Sequence, residues 1–154
     1  MGTNQRGQIE MTEDEITAFI EQSRTATMAT IGKTGMPHLV AMWYAVLDGD
    51  PVFWTFGKSQ KIRNLQRDPR VTLLVEAGDE YAELIGVEMV GRATVLTDHD
   101  PIMEIGEAVY ERYFGEVTDE VRPFVELTGA KRFGVRVEVD RVVSWDHKKL
   151  EGAY

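Results

Sequence analysis

From Thr25 onward, apolar side chains recur at every second position in short runs, 25–31, 36–47, 52–56, 70–76, 84–96 and 132–139, separated by turn-forming residues. This alternation predicts β-strands. Gly32-Lys33-Thr34-Gly35 and Asp48-Gly49-Asp50-Pro51 read as hairpin connections. Two runs differ in character. In 132–139, Phe133, Val135, Val137 and Val139 alternate with Arg132, Arg136 and Glu138, which leaves one face wet. In 36–47, His38, Val40, Met42, Tyr44 and Val46 alternate with Leu39, Ala41, Trp43, Ala45 and Leu47, so both faces are largely apolar. Such a strand is expected beneath a helix or a second subunit.

The period changes to helical before and between these runs. Thr12 and Glu15 form a capping box, Met11 and Ile16 occupy the staple positions, and Ile16, Phe19 and Ile20 share one face of a helix ending near Ser23. A shorter helix over 59–68 is stopped by Asp68-Pro69. A third covers 99–114, with Ile102, Ile105, Val109 and Tyr113 on one stripe, and a weaker segment spans 118–129. Residues 1–10 are polar and aperiodic and read as a mobile N-terminal tail, leaving 11–154 as a single domain. Hairpin-linked strands with helices inserted at the ends indicate an antiparallel barrel of the α+β class.

Composition narrows the chemistry. At 154 residues the chain suits one domain with a sizeable core. It has no cysteine, which removes disulfides, thiolate metal sites and a cysteine nucleophile. His38, His99 and His147 have no ligand spacing among them, and no metal site is expected. With 26 acidic residues against 17 Lys and Arg, the net charge of −9 disfavours nucleic acid and anionic membranes as partners. No apolar run approaches the roughly 18 residues of a membrane span, and Met-Gly-Thr-Asn-Gln-Arg has no signal core. The expectation is a soluble cytoplasmic protein.

The most informative segment is Thr55-Phe56-Gly57-Lys58-Ser59-Gln60-Lys61-Ile62-Arg63-Asn64-Leu65. A strand ends, Gly57 permits a sharp turn, and Ser59 can cap a helix whose first turn presents Gln60 and Lys61. Free backbone N–H groups, the positive end of the helix dipole, a hydroxyl and the Lys58 and Lys61 ammonium groups would then converge on a phosphate. Asn64, one turn beyond Lys61, could reach a phosphate or sugar oxygen. The same pattern also fits a capped surface helix with solvated lysines. Trp43, Tyr44, Phe53, Trp54 and Phe56 could form an aromatic cofactor wall or fill a core, and His38 reads as a hydrogen-bonded structural histidine. His147, beside Asp146, reads as part of a solvated tail.

Taken in order, the opening helix, Ala29-Thr30-Ile31 followed by Gly35 and Pro37, the long strand to Leu47, Thr55, Ser59-x-Lys61 and Asp68-Pro69-Arg70-Val71 resemble the FMN-binding split β-barrel family that includes pyridoxamine 5′-phosphate oxidase. The resemblance covers about residues 12–147 and implies a split antiparallel β-barrel of about six strands, with helices packed at its ends and sides. Pro37-His38-Leu39-Val40-Ala41-Met42-Trp43-Tyr44, Lys61-x-x-Asn64-Leu65 and the closing Ser144-Trp145-Asp146-His147-Lys148-Lys149-Leu150 are most similar to the actinobacterial flavin/deazaflavin oxidoreductases of the B group. That likeness implies that Ser59 and Lys61 hold a cofactor phosphate, with Lys58, Gln60 and Asn64 beside it. It also implies that Val40, Ala41, Met42 and Trp43, with Trp54 and Thr55, line the ring system, and that two subunits share each site in a homodimer. Gln60 stands where the oxidase carries an arginine, and the oxidase's substrate-gripping C-terminal arginine and histidine are replaced by Trp145-Asp146-His147-Lys148, which disfavours vitamin B6 oxidation.

The function so implied is hydride transfer from reduced deazaflavin coenzyme F-420 to an electron-poor organic acceptor. FMN is the alternative cofactor. An FMN-dependent reductase or oxidase, or a non-catalytic flavin-, deazaflavin- or haem-binding protein, is the alternative function. No catalytic residue is assigned. The acidic tail of F-420 would need outer cations, for which Lys58, Arg63, Arg67, Lys148 and Lys149 are the candidates.

Overall fold

The computed structural model describes residues 4–150. All its strands pair antiparallel in one seven-stranded sheet, in the order β2-β1-β5-β6-β7-β4-β3. These are β1 (Ala26–Ile31), β2 (Pro37–Met42), β3 (Ala45–Leu47), β4 (Asp50–Phe56), β5 (Arg70–Ala77), β6 (Ile85–Leu96) and β7 (Arg132–Asp146). The two edge strands, β2 and β3, are consecutive in the chain and joined only by Trp43 and Tyr44. The sheet therefore closes through the covalent chain and not through a hydrogen-bonded ladder, which is the split in the barrel.

This closure explains why one predicted strand, 36–47, is two. At the break, Tyr44 N–H donates to the hydroxyl of Tyr113 at 3.1 Å and so leaves the ladder. Tyr44 turns into the core, 1% exposed, and its hydroxyl donates to the carbonyl of Ile20. Burial pushes its pKa up to about 12. The count of strands is accordingly seven, against about six expected.

The barrel interior follows the period-two reading: Met28, Phe53, Leu73, Val75, Val87, Val135 and Val137 are fully enclosed. Helix α2 (Glu13–Gln22) begins with the expected capping box and lays Ile16, Phe19 and Ile20 on this core. Helix α3 (Gln60–Arg67) buries Ile62 and Leu65 in it. Outside the β3–β4 corner, α4 (His99–Phe114) packs Ile105 and Val109 against Ala45 and Val52. Helix α5 (Arg122–Gly129) adds Val125 to a small cluster with Met103 and Val117.

Two segments differ from expectation. The last strand does not stop at 139 but runs to Asp146 alongside β6. A bulge between Val90 and Gly91 allows this, and a side chain at Gly91 would meet the Glu138 carbonyl at 2.0 Å. Residues 1–10 were expected to lie outside the fold, yet Gln5–Ile9 form a short helix, α1, and the Met11 N–H donates to Ser144 Oγ at 3.0 Å. The polar sequence gave no periodic signal for α1. Residues 1–3 of that tail and 151–154 of the domain lie outside the described residues.

Candidate cofactor-binding site

Where β4 ends, the chain turns sharply into α3. Gly57 N–H donates to the Lys131 carbonyl at 2.9 Å, and a side chain at Gly57 would press on the Phe133 ring at 3.3 Å. Ser59 then takes the extended conformation of an N-cap. Its hydroxyl makes no capping bond, and Oγ is buried without a hydrogen-bond partner among the described residues. Lys61 stands in the first turn of the helix.

A cleft of about 400 Å³ opens there, lined by Val40, Ala41, Met42, Trp43, Trp54, Thr55 and Lys61 from the sheet and α3. Val109, Tyr110, Phe114, Phe124, Thr128 and Arg132 complete it from α4, α5 and β7. Its volume lies in the range of small-molecule sites. Both tryptophans are fixed from behind. Trp43 stacks on Tyr113 with centroids 4.2 Å apart and planes 6° from parallel, and the Arg24 guanidinium lies 4.5 Å over Tyr113. Trp54 is gripped by glycines of two helices: a side chain at Gly106 would come within 2.5 Å of its ring, and one at Gly129 within 3.4 Å. The aromatic walls are thus rigid surfaces suited to a planar ring.

The cleft's charge is positive. Lys61 and Arg132 are half-buried, and neither enters an ion pair among the described residues. Burial, and then the nearby Arg132 guanidinium, pulls the Lys61 pKa below the usual lysine range. Burial likewise lowers that of Arg132, whose guanidinium sits 5.0 Å over the Trp54 ring. Two partly desolvated cations thus line one largely apolar cleft, an arrangement able to offer charged donors to an anionic group.

Seven of the residues expected at a cofactor, Val40, Ala41, Met42, Trp43, Trp54, Thr55 and Lys61, therefore share one cleft. The other four do not line it. Asn64 is fully buried: Nδ2 donates to Thr30 Oγ1 at 3.0 Å, while Oδ1 accepts from Gln60 Nε2 at 2.8 Å and Arg67 Nη2 at 3.1 Å. It ties α3 to β1 because its position in the second turn faces the sheet and not the cleft. Gln60 is spent on that contact. Lys58 lines a separate groove with Phe56, Lys131 and Phe133. Ser59 stays within the turn.

Among the proposed outer cations, Arg67 also donates to the Ile31 carbonyl at 3.0 Å, and Lys149 pairs with Glu15 at 2.6 Å. Both are braces of the fold. Tyr44 and Phe53 are core, and Phe56 faces the Lys58 groove. His38 Nδ1 is buried with no hydrogen-bond partner among the described residues, contrary to the bonded histidine expected. His147, expected in a solvated tail, contacts Tyr81 through Nδ1 and the Tyr81 carbonyl at 2.8 Å. Arg132 carries no site signal in the sequence, which shows it only as one residue of a wet strand face. Its place in the cleft depends on the pairing of Arg132 with Phe56 across β7 and β4, a contact between distant segments.

The family model described as pyridoxamine 5′-phosphate oxidase matches residues 12–146, and the chain belongs to this family of split barrels, which binds flavin-type cofactors and includes oxidoreductases. The chain is 50% identical to the conserved hypothetical protein Rv2991 from Mycobacterium tuberculosis, with a TM-score of 0.90 over 97% of this chain and 93% of that one. An F420 reductase is 25% identical, with a TM-score of 0.63 over 81% of this chain and 93% of the other. HutZ, a haem storage protein from Vibrio cholerae, is 16% identical with a TM-score of 0.69 over 86% and 94% of the two chains, a likeness of fold. No curated protein matches. Among the described residues no helix is long and apolar enough to cross a membrane.

Proposed function

We propose that the chain is a cytoplasmic oxidoreductase that binds the deazaflavin coenzyme F-420 in this cleft and uses its reduced form to pass hydride to an electron-poor organic acceptor. The observation that carries the reading is the convergence of the 40–43 segment, Trp54 and Thr55 on one apolar slot beside the unpaired Lys61. The 25% identity to an F420 reductase favours deazaflavin over FMN. When bound, the coenzyme supplies the hydride. The protein's task is to orient the ring between fixed walls, keep water from it and hold its phosphate. Lys61 suits the phosphate, while Trp43 and Trp54 suit the ring. This division of labour accounts for a site without an acid–base dyad. Parallel titrations with F-420 and FMN test it: F-420 is expected to bind more tightly. Tight FMN binding with no detectable F-420 binding overturns the reading.

A homodimer is part of this proposal. On the outer face of β2, Leu39 is 65% exposed and Met36, just before the strand, 72%, and no helix among the described residues covers them. A second copy seated there would remove this apolar surface from water and stand close to the β2 rim of the cleft. Light scattering at micromolar concentration should give twice the chain mass. A monomer contradicts the shared site.

A further inference from the structure

The cleft holds a second cation that its Lys61-centred reading does not use. Arg132 opens β7, where its backbone pairs with Phe56, and the preceding carbonyl, that of Lys131, accepts the Gly57 N–H at 2.9 Å. The start of β7 is thereby bonded to the turn that launches α3, so Arg132 and Lys61 stand on one braced corner. The guanidinium is further held over the Trp54 ring, itself clasped by Gly106 and Gly129. Its stem and plane are thus fixed, yet no carboxylate neutralises it among the described residues. Two like charges brought together in a partly dry cleft repel each other, and the contact of Arg132 with the Trp54 ring leaves both without a counter-charge among the described residues. An anion between them relieves that repulsion, and a doubly charged one relieves it most.

We propose that Arg132 and Lys61 form a two-cation clamp for a single phosphate-type group, with Arg132 supplying the planar two-pronged donor and Lys61 the point charge. The inference rests on the reading of the cleft as the seat of a phosphate-bearing ring cofactor and adds the residue that selects phosphorylated over unphosphorylated rings. It also answers the presence of Gln60 in α3: the forked donor comes from β7, the strand paired with β4. Lysine at 132 would keep the charge but not the fork. The second role of the guanidinium, stacking on Trp54, would be kept in part by any long side chain.

The test compares FMN with riboflavin, which has the same ring and no phosphate. Wild type should prefer FMN. In Arg132→Gln the FMN dissociation constant should rise by at least roughly 10- to 150-fold, the equivalent of one of the fork's two charged hydrogen bonds, with riboflavin affinity unchanged. Arg132→Lys should fall between the two. Equal weakening of FMN and riboflavin would mean that Arg132 only supports Trp54, and no change in either would mean that it touches no ligand; both results overturn the clamp. Inorganic phosphate, followed by tryptophan fluorescence, gives a second arm that needs no ring. It should saturate wild type and bind Arg132→Gln more weakly, and a flat response in wild type is also contrary to the clamp. Failure of F-420 to bind while the protein still prefers FMN over riboflavin would reject the deazaflavin reading and leave the clamp standing.

Discussion

Replacing Lys61 by methionine should weaken cofactor binding roughly 10- to 150-fold, the equivalent of a charge-assisted hydrogen bond of about 1.5–3 kcal/mol. The same substitution should leave the ligand-free protein as stable as wild type, or more so. The ammonium is half-buried, has no anionic partner among the described residues and faces Arg132, so its charge opposes folding. Methionine keeps the apolar stem that packs along the cleft and removes the charge. The sign with pH follows from linkage. The folded-state pKa lies below the ordinary lysine value of 10.5. The penalty is therefore absent above that value, grows as pH falls from it toward the folded-state pKa, and is complete below that. Stability of wild type relative to Lys61→Met should thus rise toward high pH, as thermal melts in parallel buffers would record. A variant that melts well below wild type near neutrality, or binds cofactor normally, would remove Lys61 from the role assigned to it.

Asn64→Leu should act in the opposite way, mainly on stability. Its amide is fully enclosed and serves three partners, Thr30, Gln60 and Arg67. Gln60 and Arg67 can turn to water, but the buried Thr30 hydroxyl cannot, and an unsatisfied buried group costs about 1–3 kcal/mol. For a chain of this size that corresponds to a fall in Tm of roughly 3–10 °C. Thr30→Val removes the same bond from the β1 side and should also destabilise. The pair should be markedly less than additive, because the second change has no bond left to break. Additive losses would show that the amide and hydroxyl are not coupled. A full-strength Tm combined with lost cofactor affinity would return Asn64 to the site.

The contrast between Lys61 and Asn64, three residues apart on one short helix, marks the boundary between what local sequence determines and what it does not. The capping box at Thr12 and Glu15, the alternation of the strands and the stop at Asp68-Pro69 were legible because each depends on neighbours within a few residues: a cap reaches three positions, and the pleat repeats every two. The contiguous stretch Val40 to Trp43 and the strand end at Trp54 and Thr55 were pointed to by the resemblance to the split-barrel family, and they line one cleft. Which face of α3 meets the sheet was not. That is decided by how Ile62 and Leu65 seat on the barrel, and it turns Asn64 inward toward Thr30 while Lys61 remains at the rim. The break at Trp43-Tyr44 is likewise invisible in a run whose two faces are both apolar. It requires Tyr113, nearly seventy positions later, to offer its hydroxyl to Tyr44, 69 residues away. Arg132 likewise needed a contact between distant segments. A lone arginine on an alternating strand looks solvated until β7 pairs with β4, and the positive pole of the site therefore existed only once strands from the two halves of the chain had come together.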